Sequence, residues 1–437
     1  ETGTTHERIL KAFRLDTGSS HPAPMPEGAG LLMEEHASIR QIDPVEWNSH
    51  LGTQNMLDWE GLAFLERAFT GSKEPQDNWD FFYYTIRDHD GNIVLSCFFT
   101  LSIWKDDMLA TGSVSRHLEQ ARRNNPLHMT SRVLGMGSPF TEGGHCHIAH
   151  GHPLAHDAMR LLIDTAEARY ETLEADMLVL RDFDPANRWD TMIRSKGYFS
   201  TDMPESCVLE GLDWKGDGMF VQRLSPRSRR HFRKEILPYE DHYTVTVRER
   251  LGKVELERAH QLYCNVKERN LAVNTFECGI QVFEAMNDSP NWEFILLSLR
   301  QGEDPPITAI MFCYRNANNA YVPELIGMDY QAAEGFNLYR QILWQSISRA
   351  GSLGYERIDL GITASFEKKK LGATTNPKIA YIQARDNYAM GLLHTLQDEN
   401  QSSQRLPPSK NSCLHYPTAG RPHNIQPKPC PNDTKHL

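Results

Sequence analysis

The sequence predicts a mixed α/β chain made of two similar halves. Strand-like and helix-like patterns alternate from about residue 41 to 395, which puts helices against a sheet. Leu134-Gly135-Met136-Gly137-Ser138-Pro139-Phe140-Thr141-Glu142-Gly143 returns as Ile326-Gly327-Met328-Asp329-Tyr330-Gln331-Ala332-Ala333-Glu334-Gly335, at a constant offset of 192. Gly, Met, Glu and Gly recur, and Leu is matched by Ile. The same succession of elements flanks both segments, so one unit present twice explains the length.

The elements follow in order. An irregular segment is expected over 1–40, where Gly18-Ser19-Ser20 and the run Pro22, Pro24, Pro26, Gly28, Gly30 read as linker. The first half, 41–212, contains two strands, Phe81–Ile86 and Ile93–Leu101, joined by the turn Asp88-His89-Asp90-Gly91-Asn92. After the repeated segment, Leu154, Ala158, Leu161, Leu162 and Ala166 share one helical face, and Pro153 suits the first turn. A strand over Met177–Arg181 follows. The join between halves is expected near Gly211–Asp217. In the second half, 213–397, the strand pair is Phe294–Leu299 and Ile307–Tyr314 with a turn through Gly302-Glu303-Asp304. Tyr339, Ile342, Leu343, Ile347 and Ala350 form the matching helix face, with Asn337 as its N-cap. Arg357–Leu360 is the next strand. From Gln401 to Leu437 there are seven prolines and Tyr416 as the single aromatic, so the tail, 398–437, is expected to be disordered.

Composition narrows the function classes. With 46 Lys+Arg against 57 Asp+Glu, a net charge of -11 argues against generic duplex-DNA binding, which rests on neutralising phosphates. Eight cysteines with no CxxC spacing do not make a disulfide scaffold, so a reducing, cytoplasmic setting is expected. No window reaches the roughly 18 apolar residues of a membrane span.

The chemistry-bearing residues are few. A strand–loop–helix–strand unit points a helix N-terminus at one edge of the sheet, where free N–H groups suit a pyrophosphate or simply cap the helix. Glu324 is an acid inside the apolar strand Tyr321-Val322-Pro323-Glu324-Leu325-Ile326, a candidate base or a solvent-facing residue. Asp359 ends the next strand, at the edge where open α/β sheets bind ligands, or caps the following turn. Arg227, Arg229, Arg230, Arg233 and Lys234 make a positive patch after Ser225-Pro226, either a solvated helix face or a landing site for donor phosphates. His145, His147, His150, His152 and His156 crowd one segment with Cys146 but lack a matching distant pair, so they read as a loop before a helix and no metal is expected.

The second half resembles the acetyltransferase-type domain of the GNAT superfamily found in peptidoglycan-bridge (FemAB-like) aminoacyltransferases and BioF2-like proteins. The matching pieces are Leu224-Ser225-Pro226-Arg227-Ser228-Arg229-Arg230-His231, Gly327-Met328-Asp329, Gly354-Tyr355-Glu356-Arg357-Ile358-Asp359-Leu360-Gly361 and Phe366-Glu367-Lys368-Lys369-Lys370-Leu371-Gly372. They span about 150 residues in the family's order. The first half, with Gly135-Met136-Gly137-Ser138-Pro139-Phe140 and Val179-Leu180-Arg181-Asp182, resembles a degenerate copy. The fold so implied is two tandem GNAT-like domains on a mixed sheet.

The resemblance implies N-acyl transfer from acyl-CoA or a related thioester to an amine of a small molecule or cell-envelope precursor. Aminoacyl transfer from aminoacyl-tRNA is the alternative, and an inactive binding module the third reading. It implies a functional role for Lys368, four residues before Gly372, unless Lys368, Lys369 and Lys370 are a solvated helical turn; Glu324 and Asp359 are the other catalytic candidates. The donor is expected against Gly327, Met328, Gly335, Asn337, Arg229 and Arg230. Both loops depart from the usual Arg/Gln-x-x-Gly-x-Gly/Ala signature, and Glu334 sets an acid beside Gly335.

Overall fold

A computed structural model describes residues 30–212, 217–332 and 334–385. The tail expected over 398–437, the end of the second half beyond 385 and most of the irregular N-terminal segment lie outside the described residues.

In the first half the order is β1 (Leu31–His36), α1 (Pro44–His50), α2 (Trp59–Ala68), β2 (Asp80–Asp88), β3 (Ile93–Lys105), α3 (Gly112–Arg122) and β4 (Thr130–Met136). Then come β5 (Cys146–Ile148), α4 (Ala155–Thr172), β6 (Met177–Phe183), α5 (Asp190–Ser195) and β7 (Phe199–Glu210). The second half comprises α6 (Asp217–Arg223), α7 (Pro226–Glu235), α8 (Leu237–Glu240), β8 (Tyr243–Arg248), α9 (Lys253–Arg269), α10 (Ile280–Asn287) and β9 (Trp292–Leu299). It closes with β10 (Ile307–Asn316), β11 (Ala320–Met328), α11 (Leu338–Ser352), β12 (Arg357–Asp359), α12 (Ser365–Lys370) and β13 (Thr374–Ala384).

Local chemistry accounts for many boundaries. Asp43 caps α1 by accepting the Glu46 N–H at 2.9 Å, and Ser225 caps α7 by accepting the Ser228 N–H at 3.1 Å, with Pro in the first turn of each. In the β2–β3 turn, the Asp88 carboxylate accepts the N–H groups of Asp90 and Asn92, and Gly91 takes φ +84°. Two expectations are corrected. The segment 1–40 is not irregular throughout, because Leu31–His36 forms β1, antiparallel to β2 at the sheet edge. Asn337 does hold the N-cap position of α11, but its side chain caps nothing: the residue lies in the left-handed region at φ 50°, and its amide donates to the Glu235 main-chain oxygen at 2.8 Å.

The strands form one mixed sheet in the order β1-β2-β3-β4-β6-β13-β7-β12-β11-β10-β9-β8, with β5 on β3. Read from either end, this order is the same once each strand is replaced by its counterpart. Gly135 and Gly327 occupy matching places, each one residue from the end of its strand. The last strands are exchanged: β7 of the first half pairs with β12, and β13 of the second pairs with β6. A hydrophobic cluster crosses the pseudo-axis as well. Phe64 of α2 packs at 5.0 Å on Trp292 of β9, and the Tyr314 hydroxyl donates to Asp58 at 2.8 Å. The halves are therefore distinct in chain order and continuous in packing.

Candidate active site

The site begins with a mismatch of strand lengths. β11 has nine residues and β12 three, and they pair in parallel only at Ala320↔Arg357 and Tyr321↔Ile358. Past Tyr321 the two diverge, and Pro323–Met328 faces an opening. Opposite, β10 and β11 shift register between Phe312 and Cys313, where Phe312 pairs with Leu325 and Cys313 with Pro323. Glu324 is thus the extra residue of a β-bulge. A proline without an N–H suits that break in the ladder, and a bulge re-aims the side chain it carries.

Glu324 projects into a cavity of about 1350 Å³ that continues under the first half. Glu142, Arg181 and Thr141 line it from that side, and Lys368, Gly361 and Gly335 from the other. The Glu142 carboxylate and the Lys368 ammonium both reach over Gly361: a β-carbon there would lie 3.6 Å from Glu142 Oε1 and 3.7 Å from Lys368 Nζ. Gly361 has φ +77°, a turn that lets the chain leave β12 beneath both groups.

Burial shapes the protonation of this cluster. Burial, with Glu142 and Asp359 adding negative charge nearby, pushes the Glu324 carboxyl well above the carboxylate range. Burial likewise raises Glu142, up to about 7, although Lys368 works against it. Burial lowers the Lys368 ammonium below its ordinary value. Burial thus disfavours the charged form of all three groups, and Glu142 is the one brought to about 7.

The neighbouring turn is rigid. Arg181 donates to the main-chain oxygens of Ser138 at 2.7 Å and Thr141 at 3.1 Å, and to Asp182 at 2.7 Å. Burial opposes ionisation of Asp182, but Arg181 and His145 hold it at about 2. His145, itself buried, lies 3.1 Å from Asp182 and 2.9 Å from the Thr141 hydroxyl. This frame fixes Glu142, the residue after Thr141.

The sequence-predicted residues divide. Glu324 and Lys368 come together although 44 positions separate them in the chain. The helical turn of α12 sends its three lysines in different directions: Lys368 is buried, Lys369 pairs with Glu205 at 2.8 Å and Lys370 with Glu367 at 2.9 Å. Asp359 lies behind the cavity surface. Its carboxylate accepts the Asn55 N–H at 2.7 Å and Arg357 Nε at 2.6 Å, so it ties the two halves together. Gly327 does not line the cavity either; it lets α9 approach, since a β-carbon would stand 2.7 Å from the Tyr263 nitrogen. Met328, Gly335 and Asn337 do line it, near the N-terminus of α11. Arg229 and Arg230 instead border a separate shallow depression of about 660 Å³.

The histidine segment disperses. His147 packs on His50 at 4.7 Å, His150 stacks on Trp189 at 6.0 Å and His152 reaches Asp88 at 3.1 Å. Sequence reasoning passed over Glu142 as a site residue. The signal was present in the repeat, where Glu142 is the counterpart of Glu334.

The fold is one mixed α/β sheet built from two halves of matching strand order. No family model matches the chain, and no curated protein does. Among solved structures it is similar to FemX, with a TM-score of 0.48 and 12% identity over 83% of this chain and 100% of that one. It is also similar to L-PGS from Bacillus licheniformis, with a TM-score of 0.46 and 14% identity over 81% and 96% of the two chains. Saccharomyces cerevisiae N-myristoyltransferase with bound myristoyl-CoA gives a TM-score of 0.45 and 12% identity over 84% of this chain and 81% of that chain.

Proposed function

We propose that the protein is an N-acyltransferase that moves an acyl group from acyl-CoA, or a related thioester, to the amine of a small molecule or cell-envelope precursor. The observation that carries this reading is the cavity in the β11–β12 opening, with Glu324, Glu142 and Lys368 gathered at one place in it. An amine attacks only when neutral, and a carboxyl with a value of about 7 is suited to take its proton. In this scheme Glu142, with Glu324 as its acidic neighbour, takes the proton of the acceptor ammonium. Lys368 faces the developing negative charge on the carbonyl oxygen or the leaving thiolate. Gly335 and Asn337 lead the donor toward the N-terminus of α11, whose dipole favours an anion.

The positive patch on α7 favours a second reading, aminoacyl-tRNA as donor. It lies outside the cavity, where only an extended phosphate chain would reach it while the acyl end enters the opening.

Thermal-shift measurements with acetyl-CoA, longer acyl-CoAs and a deacylated tRNA pool separate these, because a specific ligand raises the apparent Tm by mass action. A rise with an acyl-CoA supports the first reading, and thiol release on adding an amine establishes turnover. A rise with tRNA alone selects the second. No rise with any of them refutes both and leaves a binding module.

A further inference from the structure

Away from the carboxyl–lysine cluster, α9 presents His260 and Cys264 one helical turn apart on the same face. The loop that follows α9 brings Glu277 beside them. An imidazole nitrogen, the thiol sulfur and a carboxylate oxygen of this group all lie within 4.8 Å of one another. His260 Nε2 is 3.8 Å from Cys264 Sγ and 3.1 Å from the main-chain oxygen of Cys278. We propose that His260, Cys264 and Glu277 bind a zinc(II) ion, with the Cys278 main-chain oxygen or a water as fourth ligand.

The spacing fits a tetrahedral ion. Zn–N bonds of about 2.0–2.1 Å and a Zn–S bond of about 2.3 Å place nitrogen and sulfur roughly 3.6 Å apart, and nitrogen and oxygen roughly 3.3 Å apart. The observed 3.8 Å and 3.1 Å need only small side-chain adjustments. One thiolate, one imidazole and one carboxylate form a mixed set that magnesium and calcium reject and zinc accepts. The His260 ring is already oriented, with Phe283 edge-on at 5.0 Å and Tyr263 at 6.2 Å.

The Cys264 thiol hydrogen-bonds the Glu277 carboxylate, and a cation bound between them would take the place of that proton. On binding, Cys264 releases its thiol proton to solvent, and His260 binds through Nε2 in place of the hydrogen bond to the Cys278 oxygen. The consequence is mechanical. Asn270, Val273, Thr275 and Cys278 of this loop line the large cavity, so the ion would pin one cavity wall to α9.

The test uses the full chain, reduced, stripped with a chelator and titrated anaerobically with cobalt(II), then with zinc. The expected result is a sulfur-to-cobalt charge-transfer band that saturates at one equivalent and disappears on adding zinc. Cys264→Ser abolishes the band, while the paired change Cys413→Ser with Cys430→Ser leaves it intact. Glu277→Gln alters an exposed side chain and so keeps the fold, and it weakens zinc binding by at least about tenfold. Absence of the band in the wild-type chain, its survival in Cys264→Ser, or unchanged zinc affinity in Glu277→Gln would overturn the proposal.

Discussion

Replacing Lys368 by Met removes the one ammonium that faces both cavity carboxyls and preserves most of the side-chain volume. A unit charge 4–6 Å from a developing charge is worth roughly 3–4 kcal/mol at an effective dielectric of about 20. Glu142 and Glu324 take up part of that field, so the expected loss in turnover or donor affinity is tenfold or more, about 1.4 kcal/mol at least. Folding tells a different story. Burial already penalises the charged amine, but removing it alone leaves Glu142 and Glu324 buried without their counter-charge, so both must be protonated to stay there. The Tm of Lys368→Met should therefore change little at acid pH, where both carboxyls are neutral, and fall below wild type as pH rises. Lys369→Met is the control, because its ammonium pairs with Glu205 at a half-exposed site outside the cluster and is worth at most about 1 kcal/mol. The assay is acyl-CoA turnover followed by thiol release, beside a melting curve for each variant. Equal and small kinetic effects from the two substitutions would refute the assignment of Lys368. A large fall in Tm for Lys368→Met at acid pH, where the carboxyls need no counter-charge, would show that the ammonium serves the fold instead.

Glu142→Gln should flatten the pH dependence of stability. The Glu142 value in the folded chain lies above the ordinary one, so the native state holds an extra proton between pH 4.5 and about 7. That contribution is complete below 4.5 and lost as pH rises through about 7. Wild-type Tm should fall across this window more than that of Glu142→Gln, and parallel curves would contradict the assignment. Gly327→Ala should cost about 1–3 kcal/mol in urea unfolding, as overpacking forces α9 off β11. A neutral result would mean that the helix yields. Asp359→Asn keeps the shape of the link to Asn55 but weakens a charge-assisted pair with Arg357, and should lower stability by about 1–3 kcal/mol. An unchanged urea midpoint would show that this link contributes little.

Much of the architecture was legible because its causes are local. Alternating apolar patterns marked the hairpins β2–β3 and β9–β10, turn residues marked where they reverse, and Ser225-Pro226 announced α7. The repeat at offset 192 placed Gly135 and Gly327 at matching strand ends, since identical local instructions build identical local units. Lys368 and Glu324 stood out in the sequence, one from a resemblance and one as an acid out of place in an apolar strand, and both line the cavity. Local patterns are silent about partners far away in the chain. Hydrogen-bonding edges do not record which strand will meet them, so the exchange of β7 and β13 between halves was invisible until the sheet was assembled. The same exchange carries Glu142 from the first half to Lys368 of the second, across 226 positions. Tertiary packing also made Asp359 a tie to Asn55 of the first half, and Gly327 the place where α9 approaches β11. Sequence alone determined the elements and the chemical types available to them. Tertiary packing decided which of those groups share one buried space, because desolvation and charge proximity act through distance and not through order along the chain.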